Sequence, residues 1–380
     1  MEIKQFLFNT KLHVLESLSD IRFQDFDLHF VFADKSYFDD DAIIEKVKTV
    51  TQNAIVAGCS TSGEIHGDRF SENTFSVTSI KFNSTRVRKA SRSIKSSSES
   101  LQAGMELANA LKADDLKHVF ILSDGLIVNG TQLLNGINTV LDKSINVSGG
   151  LAGDNAAFVK TYVADDENVF RSGCITAIGF YGEDLMVASS SYGGWDSFGI
   201  DRLVTKSVNN VVYEIDNQPA LDLYKSYLGE KASELPASAM YFPIEMREGE
   251  FSEVLVRTIL GINEEEKSLT FAGDVPQNSY VRLMKTNVNR VIDGAGKSAE
   301  ILKDADSFAP ELVVLVSCVG RKIVLKQLTQ DEVDAVVENF EPAVHFTGFY
   351  SNGEISKMKF VESCKLHNQS MTLTIFSENK

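Results

Sequence analysis

The chain has 380 residues, 43% of them hydrophobic and 24% charged, which excludes a disordered or fibrous chain and suits two or three globular domains. Its formal net charge of −16 opposes phosphate backbones and anionic lipid surfaces, so neither nucleic acid nor membrane is an expected partner. No apolar run reaches the ~18 residues of a membrane span, and the N-terminal stretch has no small-residue cleavage site of a signal peptide. The four scattered cysteines (Cys59, Cys174, Cys318, Cys364) suit reduced thiols in the cytoplasm rather than a zinc site or a disulfide frame.

Along the chain, HFVFA (29–33) and AIVAG (54–58) read as strands, joined by a helix with Ile43, Ile44, Val47 and Val50 on one face. A second helix carries Leu101, Met105, Ala108 and Leu111 into the strand HVFILSDG, and a third (Leu133, Leu134, Ile137, Val140, Leu141) leads to INVSGG. From 160 to 215 helices give way to strands, ending in a hairpin around Asn209-Asn210. All six prolines lie at or beyond Pro219, which opens a helix that Gly229 closes. Strands follow near 253–260, 268–272, 280–285, 312–318, 344–350 and 371–377, with one long helix carrying Val288, Val291, Ile292, Ala295, Ala299 and Leu302. The expected fold is α/β: two related mixed-sheet halves, 1–215 and 216–380, packed around a shared ligand cleft.

Catalytic motifs find little support. Gly294-Ala295-Gly296-Lys297-Ser298 ends like a phosphate-binding loop, but Val291 stands where the first glycine belongs and the segment lies inside a helix. Ser60 and Ser62 lack the flanking glycines of a nucleophile elbow, and the six histidines are far apart. An internal echo is more informative. Residues 58–65 (GCSTSGEI) and 348–355 (GFYSNGEI) share the frame G-x-x-[Ser/Thr]-x-G-E-I, and Ala152-Gly153-Asp154 echoes Ala272-Gly273-Asp274. Gly63 and Gly353 at positive φ would expose backbone N–H groups to an anion. Ser60, Thr61, Ser62, Ser351 and Asn352 would add short donors, while Glu64 and Glu354 would meet an ammonium or guanidinium. That set suits an amino-acid-like ligand, although a Gly-Glu turn can equally do no more than join two strands.

With AGCSTSGEI, GGLAGDNAAF, GGWDSFG, NVVYEIDNQPALDLYKSYLG, FAGDVPQNSYVRLM, SCVGRKIVL, GFYSNGEI and KLHNQSMTLT in this order, the chain resembles FIST proteins from about residue 28 onward. The resemblance implies an N-terminal FIST domain (about 28–215) and a C-terminal one (216–380), forming a cytosolic bacterial input module that binds a small ligand. It further implies that output passes to a separate histidine kinase or cyclic-di-GMP protein, and it offers no catalytic residues. One branch of the family is described as haem-binding nitric-oxide sensors, which makes haem b a candidate cofactor. On that reading His367, beside Asn368, is the first axial-ligand candidate, with Cys59 and Cys318 next. Arg321, next to Lys322, would clamp a carboxylate or propionate. Asp154, Asp274 and the lone Trp195 complete the expected ligand-binding set. Two rivals stand beside the sensor: a cysteine-dependent hydrolase using Cys59 or Cys318, with His66 as the nearest base, and a ligand-free kinase scaffold.

Overall fold

Apolar runs separated by an amphipathic helix favour parallel strand pairs, because a parallel crossover needs a helix to carry the chain back. The computed structural model, which describes residues 1–249, 252–305, 308–357 and 363–379, contains that unit three times. In the first, β1 (Glu2–Phe8) and α1 (Lys11–Ser17) precede β2 (Leu28–Asp34), and α2 (Lys35–Phe38) and α3 (Asp41–Val50) lead to β3 (Val56–Thr61). A hairpin, β4 (Glu64–His66) and β5 (Arg69–Ser71), leaves the unit before β6 (Phe75–Lys81) returns beside β2.

The second unit repeats this order. It comprises β7 (Arg86–Ser93), α4 (Ser100–Leu111), β8 (Leu116–Ser123), α5 (Gly130–Val140), β9 (Asn146–Leu151), the hairpin β10 (Val163–Ala164) and β11 (Phe170–Arg171), and β12 (Cys174–Tyr181). The third unit starts with β13 (Leu185–Tyr192) and is then interrupted by an inserted module. The insertion contains β14 (Asp196–Val208), β15 (Val211–Ile215), β16 (Gln218–Pro219), α6 (Ala220–Leu228), β17 (Ile244–Arg247), β18 (Leu255–Arg257), β19 (Ile259–Asn263), β20 (Ser268–Phe271) and β21 (Tyr280–Lys285), its strands forming one eight-stranded sheet. The third unit resumes with α7 (Val288–Ala305), β22 (Leu312–Cys318), α8 (Val319–Leu325), α9 (Thr329–Val337), β23 (His345–Ser351), the hairpin β24 (Gly353–Ser356) and β25 (Lys365–His367), and β26 (Met371–Glu378).

Each unit gives its hairpin to another unit's sheet. Strand β4 pairs with β23, β24 pairs with β9, and β10 pairs with β3, all antiparallel. The three six-stranded sheets therefore read β1-β6-β2-β3-β10-β11, β7-β12-β8-β9-β24-β25 and β13-β26-β22-β23-β4-β5. Their inner faces share one core, where Phe30 meets Phe120 at 5.2 Å, Phe32 meets Phe349 at 4.6 Å and Phe180 meets Phe376 at 5.2 Å between ring centroids. Helices cover each outer face with a separate apolar cluster.

The mixed α/β class agrees with the sequence reading, and the echo has a physical cause. Its first glycine lies opposite the partner strand's carbonyl: a β-carbon at Gly348 would sit 2.0 Å from the Leu315 oxygen. Gly149, the equivalent residue of the second unit, has the same restriction at 1.9 Å from the Ile121 oxygen. The two G-E-I segments are the strands that cross into another unit's sheet.

Candidate functional site

The crossing segments meet through the backbone: Ser62 N donates to Tyr350 O and Tyr350 N to Gly63 O, both at 2.8 Å, and Asn352 N donates to Leu151 O at 3.0 Å. Their carboxylates turn inward. Glu64 accepts from Thr61 Oγ1, from Thr74 N at 3.1 Å and from Thr74 Oγ1 at 2.6 Å. Glu354 repeats the arrangement, accepting from Ser351 Oγ at 2.7 Å, Ser370 N at 3.2 Å and Ser370 Oγ at 2.9 Å. Both side chains are fully buried. Gly63 has the expected positive φ of 135°, but its N–H is directed at Thr61 Oγ1, and Gly353 has no positive φ at all. The anion concavity expected at these turns does not form: Gly353 lacks the positive φ, the Gly63 N–H is taken by Thr61, and the Thr61 and Ser351 hydroxyls are used on the glutamates.

Burial raises the Glu64 carboxyl to about 7 and that of Glu354 to about 8, with the hydroxyl and amide donors offsetting part of the shift. Burial also lowers His29, His118 and His367 to about 4, 3 and 4 respectively. The signs oppose each other. A depressed histidine makes stability rise with pH up to its unfolded value of 6.5, whereas a raised carboxyl makes stability fall from 4.5 to its folded value. The histidine contribution is complete above pH 6.5, so the glutamates act alone between there and pH 8. Unfolding free energy from urea titrations should decline across that interval. The double variant Glu64→Gln/Glu354→Gln should flatten the decline, and an unchanged slope would refute the assignment.

The remaining candidates are placed as follows. Cys59 and Cys318 are buried thiols whose pKa values are pushed up by desolvation, the opposite of an activated nucleophile. Ser60 Oγ donates to Gly153 O and accepts from Tyr162 N, and Asp154 holds the amides of Phe158, Val159 and Lys160. Arg321 is fully buried against Glu332, with further bonds to the carbonyls of Gly193, Gln369 and Val291, so its guanidinium is committed within the fold. Lys322 donates to Ser62 O and Asn155 Oδ1. Trp195 donates from Nε1 to Gln369 O and lines an open surface cavity of about 330 Å³ beside α7. His367 Nε2 faces Ser356 O at 3.3 Å, and Asn368 Nδ2 bonds His367 O. His367 is buried and lines none of the cavities of about 330, 260 and 230 Å³ on this chain, so none of them offers haem a slot beside this candidate axial ligand.

What the fold does assemble lies along the seam between the second unit and the insertion. Asp274, at the tip of the second A-G-D segment, accepts from Asn129 Nδ2 at 2.8 Å and Gln132 Nε2 at 2.7 Å, while its N–H donates to Thr131 Oγ1. This contact pins the insertion to the N-terminus of α5, which Asn129 also caps by accepting from Gln132 N. A cavity lies on either side. One, of about 260 Å³, includes the 125–130 loop, Phe158, the Asn209-Asn210 turn and Asn352. The other, of about 230 Å³, includes Gln132, Glu248, Arg257, Asp274, Cys364 and Lys365.

Arg257 is the residue that sequence reasoning missed. It is 2% exposed, and among the described residues it has no ion pair within 4 Å. Its hydrogen bonds go to backbone oxygens only: Asp274 O from Nε at 3.1 Å, and Val256 O at 3.2 Å and Leu366 O at 3.0 Å from Nη1. Burial lowers it to about 10 against the nearby charges of Asp274, Glu248 and Glu253. A usable signal existed, since an arginine inside the apolar strand run VLVRTIL needs a partner that the strand itself does not supply.

Among the described residues no helix is long and apolar enough to cross a membrane. The chain matches the FIST N domain over residues 27–218 and the FIST C domain over 220–357. It is also 25% identical over 256 residues to an uncharacterized protein of Methanocaldococcus jannaschii, covering 64% of this chain and 47% of that protein. The chain thus spans about half the length of this curated relative. FIST domains are the sensory, ligand-binding domains of signalling proteins, and with the two family models matching residues 27–218 and 220–357 this chain belongs to the FIST family.

Proposed function

We propose that the protein is a sensor for an amino-acid-like ligand, bound in the Arg257 cavity at the seam between its two FIST domains. The observation that carries this reading is a buried guanidinium on the cavity wall with no carboxylate partner. A ligand carboxylate would pair with it, and the ligand's ammonium would face Asp274 and Glu248 on the same lining. A space of about 230 Å³ suits a molecule of that size and falls short of the usual range for drug-sized ligands. Haem with nitric oxide draws no support from the setting of His367, and a cysteine hydrolase draws none from its buried thiols. Output is proposed to reach a separate histidine kinase or cyclic-di-GMP protein in the cytoplasm, as in other FIST systems.

Thermal unfolding against the free amino acids tests the ligand. A true ligand stabilises the folded state by mass action, by about 2.7 kcal/mol at a hundredfold excess over Kd, and so raises the melting temperature. We expect one small group of amino acids to do so, with the shift lost in Arg257→Met. No shift with any of them, together with a sharp Soret band after hemin addition that moves with nitric oxide, would replace this reading by the haem one.

A further inference from the structure

The open cavity of about 330 Å³ beside α7 shares no lining residue with either seam cavity, and two glycines explain its shape. A β-carbon on Gly194, at φ 81°, would sit 2.1 Å from Arg290 O, and one on Gly294 would sit 2.9 Å from the Gly194 α-carbon. The segment leaving β13 can therefore lie directly on the helix, and the cavity opens beside that contact. Gly294 and Lys297 of the phosphate-loop look-alike are on its lining, so the motif's first glycine here serves close packing.

Three carboxylates and two cations line this cavity: Asp196, Asp293 and Glu300 against Arg290 and Lys297. Both cations are already paired, Arg290 Nη1 with Asp196 Oδ1 and Lys297 Nζ with Glu300 Oε2 at 2.8 Å. Asp293 stands three residues after Arg290 and four before Lys297, the spacings at which helical side chains pair. Each of these neighbours is turned to another acid, and Asp293 has no ion pair among the described residues. One acid in excess, on a chain of net charge −16, repels phosphate and attracts a cation. The Tyr192 ring, 43% exposed, belongs to the same wall. Elsewhere the chain's own cations cover tyrosine rings: Arg88 lies over Tyr181, Arg202 over Tyr227 and Lys206 over Tyr213, all within 5.7 Å of the centroid. Among the described residues none covers Tyr192.

We propose that this cavity binds a small organic cation, an alkylammonium whose charge is met by Asp293 and whose methyl or methylene groups lie against the Tyr192 ring. An inorganic cation has no apolar surface for the ring, and a neutral apolar molecule leaves the carboxylate without a partner, whereas an alkylammonium answers both. The site does not depend on what the Arg257 cavity holds.

Trp195 is the chain's only tryptophan and lines this cavity, so its emission reports on this site. The test titrates the full chain with choline as the quaternary probe, putrescine as the primary-ammonium probe and 3,3-dimethylbutan-1-ol as the uncharged carbon isostere of choline. Kd is measured by calorimetry and by Trp195 emission. At least one cation should give a saturable emission change whose Kd matches the calorimetric one and weakens as salt rises, and the alcohol should bind at least about tenfold more weakly than that cation. A response to choline alone identifies a quaternary ammonium, and a response to putrescine alone identifies a primary one. Asp293→Asn and Tyr192→Leu change exposed side chains, so both variants should melt like the parent, and each should weaken binding at least about threefold. No saturable emission change with either cation at millimolar concentration, calorimetric binding that leaves Trp195 emission unmoved, the alcohol binding as tightly as the better cation, or parental affinity in both variants would each overturn the proposal.

Discussion

Expressed separately, residues 1–215 and 216–380 should each fail to give a cooperatively melting protein, and co-expression should recover one. Cutting there leaves the third unit with β26-β22-β23 alone, because β13, β4 and β5 come from the other half. The first half in turn loses β24 and β25 from beside β9. Both pieces then expose strand edges along sheets that were six strands wide, together with half of a shared core. The contacts of Phe32 with Phe349 and Phe180 with Phe376 are severed. Since a whole domain is stable by only about 5–15 kcal/mol, losses on this scale exceed the margin. Circular dichroism melts and dye binding to exposed apolar surface provide the readout. Two soluble fragments, each melting cooperatively, would show that the halves are independent domains.

The second large effect is expected at Glu332. Its Oε1 pairs with the buried Arg321, and its Oε2 accepts from Tyr350 Oη at 2.7 Å and Ser317 Oγ at 3.1 Å. All four side chains are buried, so Glu332→Ala leaves a guanidinium and two hydroxyls without their acceptor. Breaking one partner of a buried pair costs about 3–5 kcal/mol, whereas replacing both partners by apolar residues of similar volume is often nearly neutral. The urea midpoint of Glu332→Ala should fall accordingly, and Arg321→Met/Glu332→Leu should recover a substantial part of the loss. Equal losses in the single and double variants would mean that packing volume, rather than the uncompensated charge, controls this site.

The legible parts of the fold were those written in local periodicity. Helices at Asp41–Val50, Ser100–Leu111 and Val288–Ala305 and the central strands of each sheet follow from apolar spacing alone. The echo at Gly58 and Gly348 was also visible, because those two units cross at the same distance: Glu64 faces Phe349 and Glu354 faces Gly150. The third copy was hidden by a longer loop. Its crossing residue, Val163, faces Cys59 only after the 153–161 segment, whose amides Asp154 holds, so the G-E-I signature is absent there.

The site was less legible for a related reason. A serine, threonine or glutamate beside a glycine has the same composition whether it faces a ligand or another strand, and here Thr61, Ser351 and Ser370 are directed at Glu64 and Glu354. Asp274 and Asn352 were picked out by the motifs and do line seam cavities. Arg257 belongs to no motif, and its significance lies in the ion pair it lacks, a property of three-dimensional packing.

The most direct measurement of the central claim is the guanidinium signal of Arg257. In ¹⁵N-labelled protein titrated with the amino acid that raises the melting temperature most, the Nε–H resonance of Arg257 should shift and sharpen as a carboxylate docks, with saturation matching the thermal Kd. A melting temperature that rises while this resonance stays fixed would place the ligand elsewhere and contradict the account.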